Sequence, residues 1–423
     1  MKILIVGSGG REHVLAWKCA RSPKVDKIYC APGNAGISQI AELVPLRADQ
    51  FEELADFAAS HGVDLTIIGM DDPLVGGIVD VFEQRGLRVF GPRKNAAILE
   101  GSKAFSKALM EKYDIPTASY ETFTDLEAAK SYLYGLGHFP VVLKASGLAL
   151  GKGVLICQDL ESALEGAETI MGEKKFGHAG DEMVIEEFLT GRKVSVLTFV
   201  DGTHIKEMSS AQDYKRAGDG DTGPNTGGMG NLSPSPFYTE EVQKFCRERI
   251  FQPTVDAMKA EGREFKGVIF FGLMLTQDGP KVLEYNCRFG DPEAQVVLPR
   301  MENDLIDVIE ACIDGTLDQV DLRFRPDACV CVVLASDGYP ASYEKGKTIQ
   351  GLEAFEGRED SFCFHAGTAL KNGKIVTNGG RVLGITALGK DLEQARRAAY
   401  EAACLVQFSG KYHRNDIAKL SEE

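Results

Sequence analysis

No apolar run in this sequence is long enough to cross a bilayer. Its longest, such as residues 268–275 and 328–335, fall far short of the ~20 residues that a spanning helix needs. The ten cysteines include no Cys-x-x-Cys pair, and most sit in apolar runs such as Ala328-Cys329-Val330-Cys331-Val332-Val333. That usage argues against a disulfide framework or a zinc site and reads as buried free thiols in a reducing, cytoplasmic setting. Positive charge is also short: 47 Lys and Arg stand against 62 Asp and Glu, a net −15. A general nucleic-acid surface needs clustered positive charge and is thereby excluded, whereas a local basic pocket for phosphate is not. The start, Met1-Lys2-Ile3-Leu4-Ile5-Val6-Gly7, is too short and too soon broken by glycine for a signal peptide. It reads as a first strand. Internal repeats and low-complexity tracts are missing too.

What is present is the composition of a globular chain, 44% hydrophobic and 26% charged over 423 residues, enough for two to four domains. The first ninety residues alternate strands (2–7, 27–31, 64–69, 87–90) with helices (one after the glycine turn, then 51–60 and 74–85). Such alternation predicts a parallel sheet covered on both faces, with ligands beyond the carboxyl ends of its strands. A dinucleotide fingerprint fits poorly there. Glu12 stands where a third glycine belongs, and Cys30-Ala31-Pro32 stand where an acid should close the second strand. The turn Gly7-Ser8-Gly9-Gly10 instead offers backbone N–H groups to a small phosphorylated substrate. His13 reads as a residue that solvates the first helical turn.

A helix is expected at 104–113. After it, strands 120–123, 140–145, 154–157 and 183–189 alternate with helices 125–136 and 160–171 as a small βαβ-βαβ unit. Between two of these strands lies Lys144-Ala145-Ser146-Gly147-Leu148-Ala149-Leu150-Gly151-Lys152-Gly153. It is not a Walker A loop, because Gly153 replaces the hydroxyl residue that would touch magnesium. A glycine loop with a lysine at each end can still cover a triphosphate. Strand 194–199 and a long glycine-rich loop, read as an ordered substrate loop, come next. A helix over 240–260 leads to a hairpin of strands 267–276 and 281–289. In its second strand, alternation puts Glu284, Asn286 and Arg288 on one face and Leu283, Tyr285, Cys287 and Phe289 on the other. Two oxygen donors beside an arginine suit magnesium and a transferring phosphate. A helix over 292–314 and a strand-rich last hundred residues complete the chain.

Several of these stretches resemble the phosphoribosylamine–glycine ligase (glycinamide ribonucleotide synthetase) family of the ATP-grasp superfamily, over essentially the whole chain. They are Gly9-Gly10-Arg11-Glu12-His13, Ala31-Pro32-Gly33-Asn34-Ala35-Gly36, Gly101-Ser102-Lys103, Asp221-Thr222-Gly223-Pro224-Asn225-Thr226-Gly227-Gly228-Met229-Gly230, Asn286-Cys287-Arg288-Phe289-Gly290-Asp291-Pro292-Glu293 and His365-Ala366-Gly367-Thr368.

The resemblance implies an α/β ATP-grasp fold in three parts. These are an N-terminal parallel-sheet, substrate-binding domain (1–102), an ATP-grasp region (103–325, with a lid over about 120–190) and a C-terminal α+β domain (326–423). It implies a monomeric ligase of de novo purine synthesis that uses ATP, magnesium or manganese, glycine and 5-phosphoribosylamine, without nucleic acid or membrane partners. Lys103, Lys144, Gly147, Gly151, Lys152 and Gly153 would hold the ATP phosphates, and Glu186, Glu187, Phe188 and Leu189 would line the adenine pocket. Glu284 and Asn286 would bind the metal. Asp213, Asn225, Thr226 and Arg288 would surround glycine and the acyl phosphate, while Gly9, Gly10, Arg11, Asn34, Gly69 and Asp71 would receive the sugar phosphate. Lys152, Arg288 and Asp213 would carry catalysis. Four positions depart from the family pattern: Met70-Asp71 for Pro-Glu, Ser146 for an aspartate, Arg192-Lys193 for an acidic pair, and Tyr214 for a histidine. A carboxylase of the same superfamily, a nicotinamide dehydrogenase and a non-catalytic nucleotide sensor are the rival readings.

Overall fold

The computed structural model describes residues 1–149 and 153–419. Its N-terminal sheet is parallel and runs, in spatial order, Glu42–Leu43, Lys27–Pro32, Lys2–Gly7, Leu65–Ile68 and Val89–Phe90. The central strand Lys2–Gly7 is buried at every position after Lys2, as a strand covered on both faces must be. The expected helix over 74–85 is two helices, Asp71–Gly76 and Ile78–Gln84. Gly77 breaks them apart with φ of 100°, a left-handed value that L side chains resist. Sequence periodicity carried across the break because Leu74, Ile78, Val79 and Phe82 all enter one core.

The small unit is a four-stranded sheet in the order Tyr120–Phe123, Met183–Glu187, Val141–Ala145, Val154–Cys157, antiparallel at each pairing. Its two βαβ units interleave, because each flanking pair of parallel strands holds a strand of the other unit between them. Beside it, Arg192–Asp201, Lys266–Thr276 and Gly279–Asn286 form the central antiparallel sheet with Ile205–Glu207. A β-bulge sits in this hairpin: Gly272 pairs with Glu284 but Leu273 pairs with Val282, leaving Leu283 as the extra residue. The expected alternation therefore fails at Leu283, which turns to the same side as Glu284. Tyr285 and Cys287 stay buried on the opposite side, whereas Phe289, past the end of the strand and expected with them, packs edge-on to Phe199 in the core on the Phe270 side. The expected helix over 292–314 is also broken, into Ala294–Val297, the tight turn Leu298–Arg300 and Leu305–Asp314. Pro299 lies at that break and cannot donate a helical hydrogen bond.

The C-terminal strands Ala328–Ser336, Arg381–Gly389 and Ser361–His365 do not make their sheet alone. Gly230–Ser233 pairs with Ala328–Ser336, and Gln212–Asp213 pairs in turn with Gly230–Ser233. Helix Leu392–Leu405 packs its alanine-rich face (Ala395, Ala399, Ala402, Ala403) on this sheet.

His13 does not solvate the helix Gly10–Cys19. It is buried, and its Nδ1 accepts the backbone N–H of His365 at 2.7 Å. Asn34 joins the same clasp by donating from Nδ2 to the carbonyls of His365 (2.8 Å) and Ser8 (2.9 Å). The C-terminal sheet is thereby fixed to the first two loops of the parallel sheet. Burial, with His365 close by, holds His13 well below the usual histidine range, and burial takes His365 down to about 4.

Two expectations follow. Alanine in a continuous helix would be better than glycine by about 1 kcal/mol, but at a positive φ it costs about 1–2 kcal/mol. Gly77→Ala should therefore lower the urea midpoint, and a raised midpoint would contradict the break. The second concerns pH. An unfolded histidine takes up its proton near 6.5 and folded His365 only near 4, so the stability from its neutral form is complete above pH 6.5 and lost on acidification. The stability advantage of the native protein over His365→Asn should shrink by about 2 kcal/mol between pH 7 and pH 5. A difference independent of pH would refute the buried neutral histidine.

Candidate active site

Two adjoining cavities lie where the parallel sheet, the small four-stranded sheet and the central hairpin converge. The smaller, of about 150 Å³, is walled by Val142, Ile156, Phe188, Leu189, Met274 and Leu283, with Glu186 and Glu187 along its edge. The larger, of about 440 Å³, is lined by Arg11, Asp71, Lys103, Lys144, Asn225, Thr226, Glu284, Asn286 and Arg288, among others. Lys144, Lys193, Lys215, Leu283 and Glu284 face both. An apolar slot opening into a basic chamber is what a planar base followed by phosphates requires.

The hairpin supplies the centre. Glu284 faces the chamber with no hydrogen bond or ion pair among the described residues. Burial alone would raise its pKa, but Lys215, Lys144, Lys103 and Arg288 outweigh that and hold it below the ordinary carboxylate range. Two residues on, Asn286 Oδ1 accepts from Arg288 Nη2 at 3.0 Å. The same guanidinium nitrogen lies 3.1 Å from Glu100 Oε1 and 3.5 Å from Asp71 Oδ2. Glu100 is buried and also accepts the Cys287 N–H at 2.6 Å. Burial, against Arg288 and with Asp71 nearby, pushes Glu100 up to about 7. Arg288 Nε and Glu293 Oε1 are buried without a hydrogen-bond partner among the described residues, which marks the place for a polar ligand. An ionised Glu284 and the Asn286 amide oxygen also fit a divalent ion that takes its other ligands from phosphate and water.

The bulge has a second effect. It presents the carbonyl of Leu283 to Lys144, whose Nζ donates to it at 3.0 Å. Lys144 also pairs with Glu186, as does Lys107, all three being almost fully buried. The Glu186 carboxylate is thus engaged by two lysines, and what it adds to the apolar slot is backbone and stem. Glu187 accepts from the Ser119 N–H (3.3 Å) and hydroxyl (3.1 Å). On the neighbouring helix, Lys103 Nζ donates to Gly147 O at 3.1 Å, and burial lowers its pKa. Gly153 lines the larger cavity, whereas Leu150, Gly151 and Lys152 lie outside the described residues. Asp213 pairs with Lys215 at 2.7 Å.

The N-terminal loops contribute differently from expectation. Among the residues assigned to the sugar phosphate, Arg11 and Asp71 line the larger cavity, and Gly9, Gly10, Asn34 and Gly69 do not. Two amides at the turn are taken within the protein: Gly9 N–H donates to Glu12 Oε2 at 2.6 Å, and Arg11 N–H to Asp291 Oδ2 at 3.4 Å. Glu12, where a dinucleotide site would have glycine, fills the space against Gly7 and Gly69, where a Cβ would lie 2.4 and 2.3 Å from its side chain. Of the backbone donors expected there, those of Gly9 and Arg11 are engaged within the protein. Of the departures, Ser146 Oγ accepts the Ala104 N–H at 3.2 Å, a structural role, and Lys193 stands in the cavity wall.

Sequence reasoning missed Glu100, Lys107, Lys215, Glu293 and Arg381. Lys107 was findable, since it lies one helical turn from Lys103 on the same face. Arg381 reaches the cavity from the C-terminal sheet, donating to Gly227 O and Asp291 O at 2.9 Å each, and nothing in its local sequence signals this.

Family models described as phosphoribosylglycinamide synthetase match residues 1–100 (N domain), 101–294 (ATP-grasp (A) domain) and 329–420 (C domain). The phosphoribosylamine–glycine ligase of Caldanaerobacter subterraneus subsp. tengcongensis is 48% identical over 99% of both chains. That of Pseudomonas aeruginosa is 48% identical over 99% of this chain and 97% of its own. A solved phosphoribosylamine–glycine ligase from Thermotoga maritima superposes with a TM-score of 0.85 at 36% identity, covering 99% of this chain and 100% of the other. A biotin carboxylase from Campylobacter jejuni, 15% identical with a TM-score of 0.73 over 97% and 92% of the two chains, shares the fold alone. With all three domain models matched in order and relatives of this similarity at full length, the chain belongs to the phosphoribosylglycinamide synthetase family.

Proposed function

We infer that this chain is an ATP-dependent ligase joining glycine to 5-phosphoribosylamine, with ADP and phosphate released, in de novo purine synthesis. The observation that carries the reading is the apolar slot at Phe188 and Leu189 opening onto a chamber in which Glu284, Asn286 and Arg288 meet Lys103 and Lys144. In this reading residues 1–102 receive the phosphorylated amine, 103–325 activate the carboxylate, and 326–423 close the site. The absence of disulfides among ten cysteines supports a cytoplasmic setting, and we assign the working unit as a monomer.

The glycine carboxylate attacks the γ-phosphorus of ATP, the bond to the β-bridging oxygen breaks, and glycyl phosphate and ADP result. The uncharged amine of phosphoribosylamine then attacks the acyl carbon, loses a proton and expels phosphate. Glu284 and Asn286 would hold magnesium or manganese, which neutralises phosphate oxygens when bound. Lys103, Lys144 and Arg288 spread positive charge over the transferring group, and phosphoryl transfer is catalysed mainly by such positioning and charge. Lys152 would add a further cation from the glycine loop. Asp213, Asn225 and Thr226 orient glycine, and Arg11 and Asp71 face the incoming amine, with Gly9, Gly10, Asn34 and Gly69 shaping the turns behind them.

The test is release of ADP and phosphate that requires both glycine and phosphoribosylamine, with a glycyl amide in the product. Turnover that instead depends on bicarbonate would assign the chain to a carboxylase. Arg288→Ala should lower kcat by about 10²–10³-fold, the loss typical of a group that stabilises developing charge. An essentially fully active variant would remove Arg288 from the reacting centre.

A further inference from the structure

The glycine-rich stretch after Asp213 leaves the C-terminal sheet at Gln212–Asp213 and returns to it at Gly230–Ser233. Between these points it folds into a hairpin, Arg216–Gly218 with Thr222–Asn225, that pairs with no other described strand. Residues at the foot of the hairpin, Asp213, Lys215, Asn225 and Thr226, face the cavities. Its tip is half-exposed to exposed and includes Gly220 and Asp221 at positive φ. A two-stranded ribbon of this kind is marginal on its own. Something else must hold it.

That support is the last described stretch of the chain. Tyr412 Oη donates to Ala217 O at 2.6 Å. Arg414, only 1% exposed, donates from Nη1 to Arg216 O (3.1 Å) and to Asp221 Oδ1 (2.8 Å). Its guanidinium carbon lies 5.2 Å from the centre of the Tyr214 ring, and its Nε and Nη2 form a fork on Asp416 at 2.7 and 2.6 Å. Asn415 donates from its backbone N–H and Nδ2 to the Asp219 carboxylate at 2.7 and 2.9 Å, and Gly220 N–H donates to Asp416 Oδ2 at 2.8 Å. The stretch is in turn tied to helix Leu392–Leu405: Tyr400 Oη donates to Arg414 O, and Arg396 donates to the carbonyls of Asn415 and Ile417.

We propose that residues 412–416 are a strap that sets the position of the substrate loop, with Arg414 as its principal positioning residue. Arg414 touches no substrate. It acts through Tyr214, Arg216 and Asp221, which flank and tip the hairpin, on the residues at the foot. Tyr214 is the position where the family usually carries histidine, and here its ring forms the floor under the guanidinium. A fixed fork that satisfies two carboxylates, a carbonyl and a ring face at once is a task for arginine, since lysine offers a point charge without the fork.

The inference rests on the ligase reading for its kinetic arm, and hydrogen exchange tests it independently. In Arg414→Ala, kcat/KM for glycine and for phosphoribosylamine should fall about 10²-fold, as a displaced binding group can cost. ADP affinity should fall much less, because the slot's apolar walls, Val142, Ile156, Phe188 and Leu189, lie on other elements and only Asp213 and Lys215 of the hairpin foot reach it. Amides of residues 216–225 should exchange faster while those of the parallel sheet do not, and Arg414→Lys should fall between the two. If Arg414→Ala does not fold, Tyr412→Phe and Asn415→Ala each remove single surface bonds from the strap and should give the same pattern in smaller measure. Hairpin amides exchanging at the native rate in these variants, or native kcat/KM with accelerated exchange, would overturn the proposal. If the native protein makes no glycyl amide, the ligase reading fails, and the exchange measurement still decides whether the strap holds the hairpin.

Discussion

One carboxylate with two lysines, shut away from water, underlies the arrangement of the nucleotide end of the site. Glu186 forms ion pairs with Lys107 and Lys144 where none of the three is more than slightly exposed. Removing one partner of such a cluster strands the others, at a cost of about 3–5 kcal/mol. The cluster therefore fixes the distance between the helix Lys103–Lys112, which carries Lys107, and the lid strands that carry Lys144 and Glu186. It also leaves Lys144 with a cationic end near the bulged carbonyl of Leu283. Charge repeats this theme further along the cavity, where Arg288 lies among Glu100, Asp71 and Asn286. Each cation is already oriented by the protein, so little reorganisation is left for the reaction itself.

How far the sequence foretold this depends on the reach of each interaction. The Glu284, Asn286, Arg288 face was legible because strand alternation is local. The bulge at Leu283 was not, since it is a property of the pairing with Lys266–Thr276 and leaves no mark on its own strand. The break at Gly77 was in principle readable from the glycine, but a single apolar face continued through it. The N-terminal turn was read as an anion site, and Glu12, in the first turn of its helix, folds back to take one of its donors, the Gly9 N–H. His13 was misread for a different reason: its partner His365 lies far along the chain.

The same logic explains the residues that were missed. Glu100 ends a helix in the first region, Lys215 sits in the glycine-rich loop, and Arg381 begins a strand of the last. They meet only because three regions converge on one hairpin. The small-unit strands were legible almost to the residue, since apolar spacing is written within each strand and caps within the helices between them. Tyr214, to which the sequence assigned no role, lies under the Arg414 guanidinium.

The sheet that takes strands from residues 212–233 as well as from 328 onward has a consequence for how the chain is made. On the ribosome, Gly230–Ser233 emerges about a hundred residues before Ala328–Ser336, its partner. At ~5–20 residues per second that interval is roughly 5–20 s, during which Gly230–Ser233 has only the two-residue strand Gln212–Asp213 on one side and its other edge is unpaired. The glycine-rich stretch before it, and Pro234 and Pro236 directly after it, give the waiting edge little tendency to pair with another nascent chain. Low intrinsic strand preference there protects the protein during synthesis, and the late-arriving carboxyl end completes both the sheet and the site.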